Sequence, residues 1–200
     1  MSAWAGPMLY VRSRGLPGVV GVLAATAAFV AWWGSGGPEP VLPLVALAPL
    51  VAAAAIGTSF HTPGGELDRT AVAPWWPRRL SHLVALTALA SLALALVAPE
   101  TIRPGPDPGT PVVLGAEAMA RNTVGAAGLA ALGVRVVGAR LSWVVPLGYL
   151  GVVFLGVGDV GAVWGWAARA EGDLTAALTA AALFTTGASL STLHPRPSGG

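Results

Sequence analysis

The chain alternates between long apolar stretches and short polar junctions. A helix needs roughly 20 consecutive apolar residues to cross the hydrocarbon core of a bilayer. Six stretches have about this length, and they lie at about 16–33, 41–60, 80–98, 114–137, 141–158 and 174–193. The fourth is the weakest, because Glu117, Arg121 and Arg135 interrupt it. The pattern predicts an all-α membrane protein with six transmembrane helices.

The arginines fall almost entirely at every second junction, which orients the predicted helices. One side holds eight of them: Arg12, Arg14, Arg69, Arg78, Arg79, Arg135, Arg140 and Arg196. The opposite junctions hold Arg103 and Arg169, with Arg121 near that face, and six acids: Glu39, Glu100, Asp107, Asp159, Glu171 and Asp173. Because basic residues mark cytoplasmic loops, both termini are predicted to be cytoplasmic. We expect a multi-pass protein of the cell (plasma) membrane.

The two ends of the chain and one outer junction differ from the apolar stretches. Residues 1–15 carry aromatic, apolar and basic side chains that suit an amphipathic interfacial helix, with a disordered leader as the alternative. The predicted organisation is therefore this interfacial segment, a transmembrane domain over 16–194, and a flexible tail over 195–200. Residues 99–111 contain five prolines and are predicted to form a non-helical outer connector.

Composition narrows the chemistry. Hydrophobic residues make up 54% of the chain and charged residues 10%, whereas a soluble domain carries about a quarter charged residues. Lysine is absent, which excludes a phosphate-binding loop with its lysine, and no zinc-protease motif is present. Cysteine is also absent. A net charge of +2, spread over helix ends, argues against nucleic acid. We predict that the chain is not an enzyme and holds no metal or other cofactor.

The most distinctive junction is the cytoplasmic one between the second and third stretches. Pro63 to Gly65 ends the second stretch, and Pro74 stops whatever follows. Between them, Glu66 to Val72 can form a short helix whose acids are favoured by the helix dipole. Such a helix, held parallel to the membrane, is a shape that docks a cytosolic partner. The alternative is a solvated connector.

This junction resembles the coupling region of ABC-2-type permeases, the membrane-spanning subunits of ABC exporters. The similarity is carried by Gly65-Glu66-Leu67-Asp68-Arg69-Thr70 with Arg78-Arg79-Leu80-Ser81-His82, and by the stretch from Arg121 to Leu129 that continues to 138–146. The resemblance implies a separate ATPase subunit, with its ATP and Mg, as partner. It also implies a homodimer, or a heterodimer with a related permease, that exports a hydrophobic or amphipathic substrate. The implied docking residues are Glu66, Leu67, Asp68, Arg69, Arg78 and Arg79.

A second candidate site lies at the predicted outer face. Glu117 and Arg121 are four residues apart and can form an ion pair on one helix face, with Asn122 beside them. At membrane depth, such groups face the bundle interior or a water-filled path; just outside it, they form a surface pair. The apolar segment from Val163 to Ala168, which carries Trp164 and Trp166, resembles the short re-entrant helices of ABC-2 exporters. The alternative is an interfacial aromatic belt. Together these five residues are a candidate substrate path or outer vestibule.

Two further features leave alternatives open. Three histidines fall at predicted cytoplasmic helix ends and are interpreted as interfacial side chains rather than metal ligands: His61, His82 and His194. Glycines in the fourth and fifth stretches favour close helix contact, either within one subunit or between two. The alternative function is a non-transporting membrane scaffold or anchoring subunit of a larger complex.

Overall fold

The computed structural model describes residues 15–35, 42–60, 76–104, 111–154 and 163–193. Within these ranges the chain forms six α-helices: α1 (Leu16–Gly34), α2 (Leu42–Thr58), α3 (Trp76–Val97), α4 (Ala116–Val136), α5 (Val144–Phe154) and α6 (Leu174–Leu193). The predicted interfacial segment up to residue 14, the junction residues 61–75 and the tail lie outside the described residues.

Three of these helices are long and apolar enough to cross a membrane: Leu16–Gly34, Trp76–Val97 and Leu174–Thr192. The helices α2 and α5 are apolar but have 17 and 11 residues, and α4 has 21 residues but carries Glu117, Arg121 and Arg135. The chain is therefore a mainly helical protein with three candidate membrane-spanning helices. Six spans, their bounds and their orientation stay predictions.

The helix ends gather at two ends of the bundle. At the first, which we call the hairpin end, Gly34 at the end of α1 lies against Pro99 after α3, and Glu100 lies near Gly115 before α4. At the second, the turn end, α2 approaches Ser142, which follows α4.

The connector that was predicted to lie on the outer side contains two paired strands, a β-hairpin. Strands β1 (Thr101–Pro104) and β2 (Pro111–Leu114) pair antiparallel, with Ile102 opposite Val113. Prolines at both strand ends prevent a helix here, and the β-branched residues between them favour extended backbone. The non-helical connector was predicted correctly, but the strand pairing was not predicted.

The helix α4 lies in the middle of the bundle, packed against α2, α3, α5 and α6. Thirteen of its 21 residues are buried. The main core around it is built from apolar side chains of the neighbouring helices, such as Ile56, Leu83 and Leu94, together with its own Met119. The predicted fourth stretch is therefore the helix that the other helices cover.

Two glycines make the contact between α4 and α6 close. A Cβ placed on Gly128 would lie 2.5 Å from the backbone nitrogen of Phe184, and one placed on Gly187 would overlap the carbonyl group of Gly128. Close helix contact through glycine is thus confirmed for the fourth predicted stretch. In α5 the space around Gly148 and Gly151 is open.

Candidate functional site

The candidate site lies at the hairpin end, where residues 163–173 lie against the start of α4. We call this segment the strap. It begins as a short 3₁₀ helix, Val163–Ala168, and leads into α6. The two tryptophans of the strap, which were predicted to line one site, have different surroundings. The side chain of Trp166 is buried, whereas that of Trp164 is 57% exposed.

Three side-chain donors of α4 hold the strap. The guanidinium of Arg121 donates to two successive backbone carbonyls, from Nη1 to Ala170 O at 2.8 Å and from Nη2 to Arg169 O at 2.8 Å. The amide of Asn122 donates to Ala167 O, also at 2.8 Å. The planar fork of an arginine suits two neighbouring acceptors. Since both side chains are buried, these bonds satisfy donors that would otherwise be costly to bury.

Two glutamates exchange backbone hydrogen bonds across the same contact. Glu171 Oε1 accepts from the N–H groups of Glu117 at 3.0 Å and Ala118 at 3.4 Å, which have no partner within the first turn of a helix. In return, Glu117 Oε1 accepts from the N–H of Gly172 at 3.1 Å. The backbone N–H of Glu171 also donates to Val113 O at 3.0 Å, which joins the strap to the hairpin.

The ion pair between Glu117 and Arg121 does not form among the described residues. Both side chains hydrogen-bond to the backbone of the strap instead. Spacing along α4 places Glu117 and Arg121 on one face, but each of them pairs with the backbone of the strap. The structure therefore brings Glu117, Arg121, Asn122 and Trp166 together, with a different set of partners from the one that the spacing suggested.

Asp173 caps the start of α6. Its Oδ1 accepts from the N–H of Ala176 at 2.8 Å, and its Oδ2 lies 3.3 Å from Arg169 Nη1. The hydrogen bond from Ala176 lowers the pKa of the Asp173 carboxyl below its usual value, and the bond from Arg169 lowers it further. Sequence reasoning missed this role, although an aspartate directly before an apolar helix is a recognisable N-cap signal.

Trp166 fills a narrow slot between α4, α5 and α6. Its ring stacks on Tyr149, with the ring centroids 5.5 Å apart and the planes inclined by 16°. A Cβ on Gly125 would overlap the same indole, so only glycine leaves room for it. The hydroxyl of Tyr149 donates to Trp164 O at 2.7 Å. A small cavity of about 20 Å³ remains beside the ring and is lined in part by Asn122.

At the turn end, the described part of the predicted docking site is the start of α3. Arg78 is exposed and Arg79 is half-buried, whereas Glu66, Leu67, Asp68 and Arg69 lie outside the described residues. His82 is buried and hydrogen-bonded to Ser59 at 2.9 Å. His61 and His194 are also outside the described ranges. Within those ranges, no three histidine or acidic side chains are grouped so as to hold a metal ion.

Comparison with known proteins finds no relative of this chain. No family model matches the chain, and neither a curated protein nor a solved structure matches it. The resemblance to ABC-2-type permeases therefore rests on the residues around Glu66–Arg79 and Arg121–Leu129 that carry it.

Proposed function

We propose that the chain is the permease subunit of an ATP-driven ABC exporter of the cell membrane. In this proposal it spans the bilayer six times with both termini in the cytoplasm. The junction 61–79 receives a separate ATPase subunit, and the substrate is hydrophobic or amphipathic.

The observation that carries the proposal is a buried clamp across the two ends of that junction. Ser59 Oγ donates to Ile56 O at 2.6 Å and is hydrogen-bonded to His82 Nε2 at 2.9 Å. The ring of Phe60 meets the His82 imidazole edge-on, with centroids 5.8 Å apart. The clamp ties the end of α2 to the second turn of α3. A partner that displaced the junction would therefore move both helices together.

The interior around the start of α4 is filled, which argues for a substrate path between subunits. A separate groove of about 220 Å³ lies between the start of α3 and the end of α6. The helix α4 occupies the middle of the bundle, and the cavity beside Asn122 has about 20 Å³. A space of that size holds a single water molecule. A substrate would accordingly pass between two copies of the chain, or between this chain and a related permease. The same filled interior also favours the second candidate, a membrane scaffold that transports nothing.

Co-purification separates the two functions. We expect a tagged chain, extracted in mild detergent, to retain an ATP-hydrolysing subunit. Replacing Glu66, Asp68 and Arg69 by alanine should lower the retained ATPase activity at least tenfold, since it removes charge from the docking junction. The matched control replaces Glu100, Arg103 and Asp107 on the opposite side, which changes the same charges and should leave retention unaltered. A chain that never retains an ATPase refutes the exporter and leaves the scaffold.

A further inference from the structure

We infer that the slot between α4, α5 and α6 is a binding site for a planar aromatic group, occupied in this conformation by Trp166 of the chain itself. The inference concerns the hairpin end and does not depend on an ATPase partner.

The slot has the shape of a flat ring. Tyr149 provides one wall, because its ring lies nearly parallel to the indole at a centroid distance of 5.5 Å, a favourable stacking geometry. The bare backbone at Gly125 provides another, because any Cβ there would overlap the six-membered ring of the indole. With the side chain of Trp166 only 2% exposed, the ring is enclosed as a bound ligand would be.

Polar groups at the edge of the slot define the rest of the ligand. The carbonyl groups that accept from Asn122 and Arg121 belong to Ala167, Arg169 and Ala170, immediately after the buried tryptophan. The present occupant is thus an aromatic ring followed by oxygen acceptors. A free molecule with the same arrangement would be a planar aromatic compound that carries a carboxylate or carbonyl group.

The strap is held by contacts that such a molecule could replace. Its helix is a six-residue 3₁₀ helix, a form with poorer hydrogen-bond geometry than an α-helix. Three of the bonds that tie it to α4 are donated by the side chains of Arg121 and Asn122, so these donors stay in place when the strap leaves. Segments held in this way open at a lower free-energy cost than a helical core.

Removing the resident ring tests the slot directly. We expect Trp166→Ala in the full chain, kept in detergent, to unfold roughly 10 °C below the parent chain. Indole should then restore about 4 °C at ten times its Kd. Trp164→Ala is the matched control, because it removes an exposed indole from the same strap, and indole should not change its melting temperature. Equal effects of indole on both variants, or none on either, would overturn the inference.

A second measurement keeps the inference testable if Trp166→Ala does not fold. The chain has no cysteine, so Ala168→Cys gives a unique thiol on the strap. Indole-3-carboxylate should displace Trp166 and raise the rate of maleimide labelling at least threefold. Cyclohexanecarboxylate, which is not planar, should leave the rate unchanged. Labelling that responds to neither compound, or equally to both, contradicts a site for planar rings.

Discussion

The helices α1 and α4 have similar lengths and opposite surroundings. Three of the 19 residues of α1 are buried, against 13 of the 21 residues of α4. The exposed end of α1 carries the clustered rings of Phe29, Trp32 and Trp33, with centroids 5.6 to 6.3 Å apart. Exposed tryptophans at a helix end suit the interface between lipid and water.

The contrast follows from what each helix must face. A helix exposed to lipid has to be apolar all round, and α1 is. The helix α4 is covered by protein, so it can carry buried Arg121, Asn122 and Thr123, provided that each finds a partner. The polar side chains of α4 therefore indicate its central position and do not argue against its place in the bundle. A high hydropathy is typical of helices that face lipid, and a helix covered by other helices does not need it.

The largest difference between α1 and α4 should appear when one methyl group is added to each of them. At Gly128 of α4, a Cβ would lie 2.5 Å from the backbone of α6, which cannot rotate away. We expect Gly128→Ala to lower the free energy of unfolding by about 3 kcal/mol, the upper range for overpacking. Thermal or denaturant unfolding in detergent measures the change.

Gly21→Ala on α1 is the control, because nothing lies within 4 Å of a Cβ at that position. Alanine is the better helix former, so this variant should be as stable as the parent or slightly more stable. Equal losses at Gly21 and Gly128 would show that the two helices do not differ in packing.

A smaller effect should distinguish buried from exposed arginine. Arg121→Met keeps an unbranched side chain but removes both bonds to the strap, leaving the carbonyls of Arg169 and Ala170 without these donors. We expect a loss of about 2 kcal/mol, since losing two charged hydrogen bonds is partly offset by no longer burying a charge. Arg78→Met at an exposed position should stay within about 0.5 kcal/mol. Denaturant titration of both variants measures these losses. An Arg121→Met variant as stable as the parent chain would contradict the role of Arg121 as the main polar anchor of the strap.

The sequence predicted helices that are long and apolar enough to cross a membrane, because apolar length is a local property. It also indicated that Arg121, Asn122 and Trp166 belong to one region. It could not predict their partners, because the bonds join residues 45 to 49 positions apart. The spacing of Glu117 and Arg121 suggested a local ion pair, but the backbone of the strap competes successfully for both side chains.

The two helix caps and the contact at Gly187 differ in how far the sequence indicates them. Glu171 caps α4 from another segment, so nothing next to Ala116 in the sequence announces it. Asp173 directly precedes Leu174 and follows the ordinary rule for N-caps, so it could have been found. Gly187 was missed because a single glycine in an apolar helix does not show which helix it will meet.

The smallest expected effect concerns the caps of α4 and α6. The start of α4 depends on Glu171, a distant residue, whereas α6 is capped by its neighbour Asp173. Asp173→Ala removes the acceptor for the N–H of Ala176 and should cost about 1 kcal/mol. Asp173→Asn is the control, because asparagine caps helices about as well and lacks only the charge. An alanine variant as stable as the asparagine variant at neutral pH would contradict the cap.

The acid dependence of these variants separates the charge of Asp173 from its cap. The folded protein lowers the pKa of Asp173, so the carboxylate's contribution is complete above the unfolded value of about 3.9. It is lost as the pH falls through the lower, folded value. The parent chain should therefore exceed Asp173→Asn in stability at pH 6, and this advantage should disappear on acidification below about pH 4. Denaturant titrations of both proteins across this range measure the difference, and an advantage that persists in acid would mean that the charge is not its source.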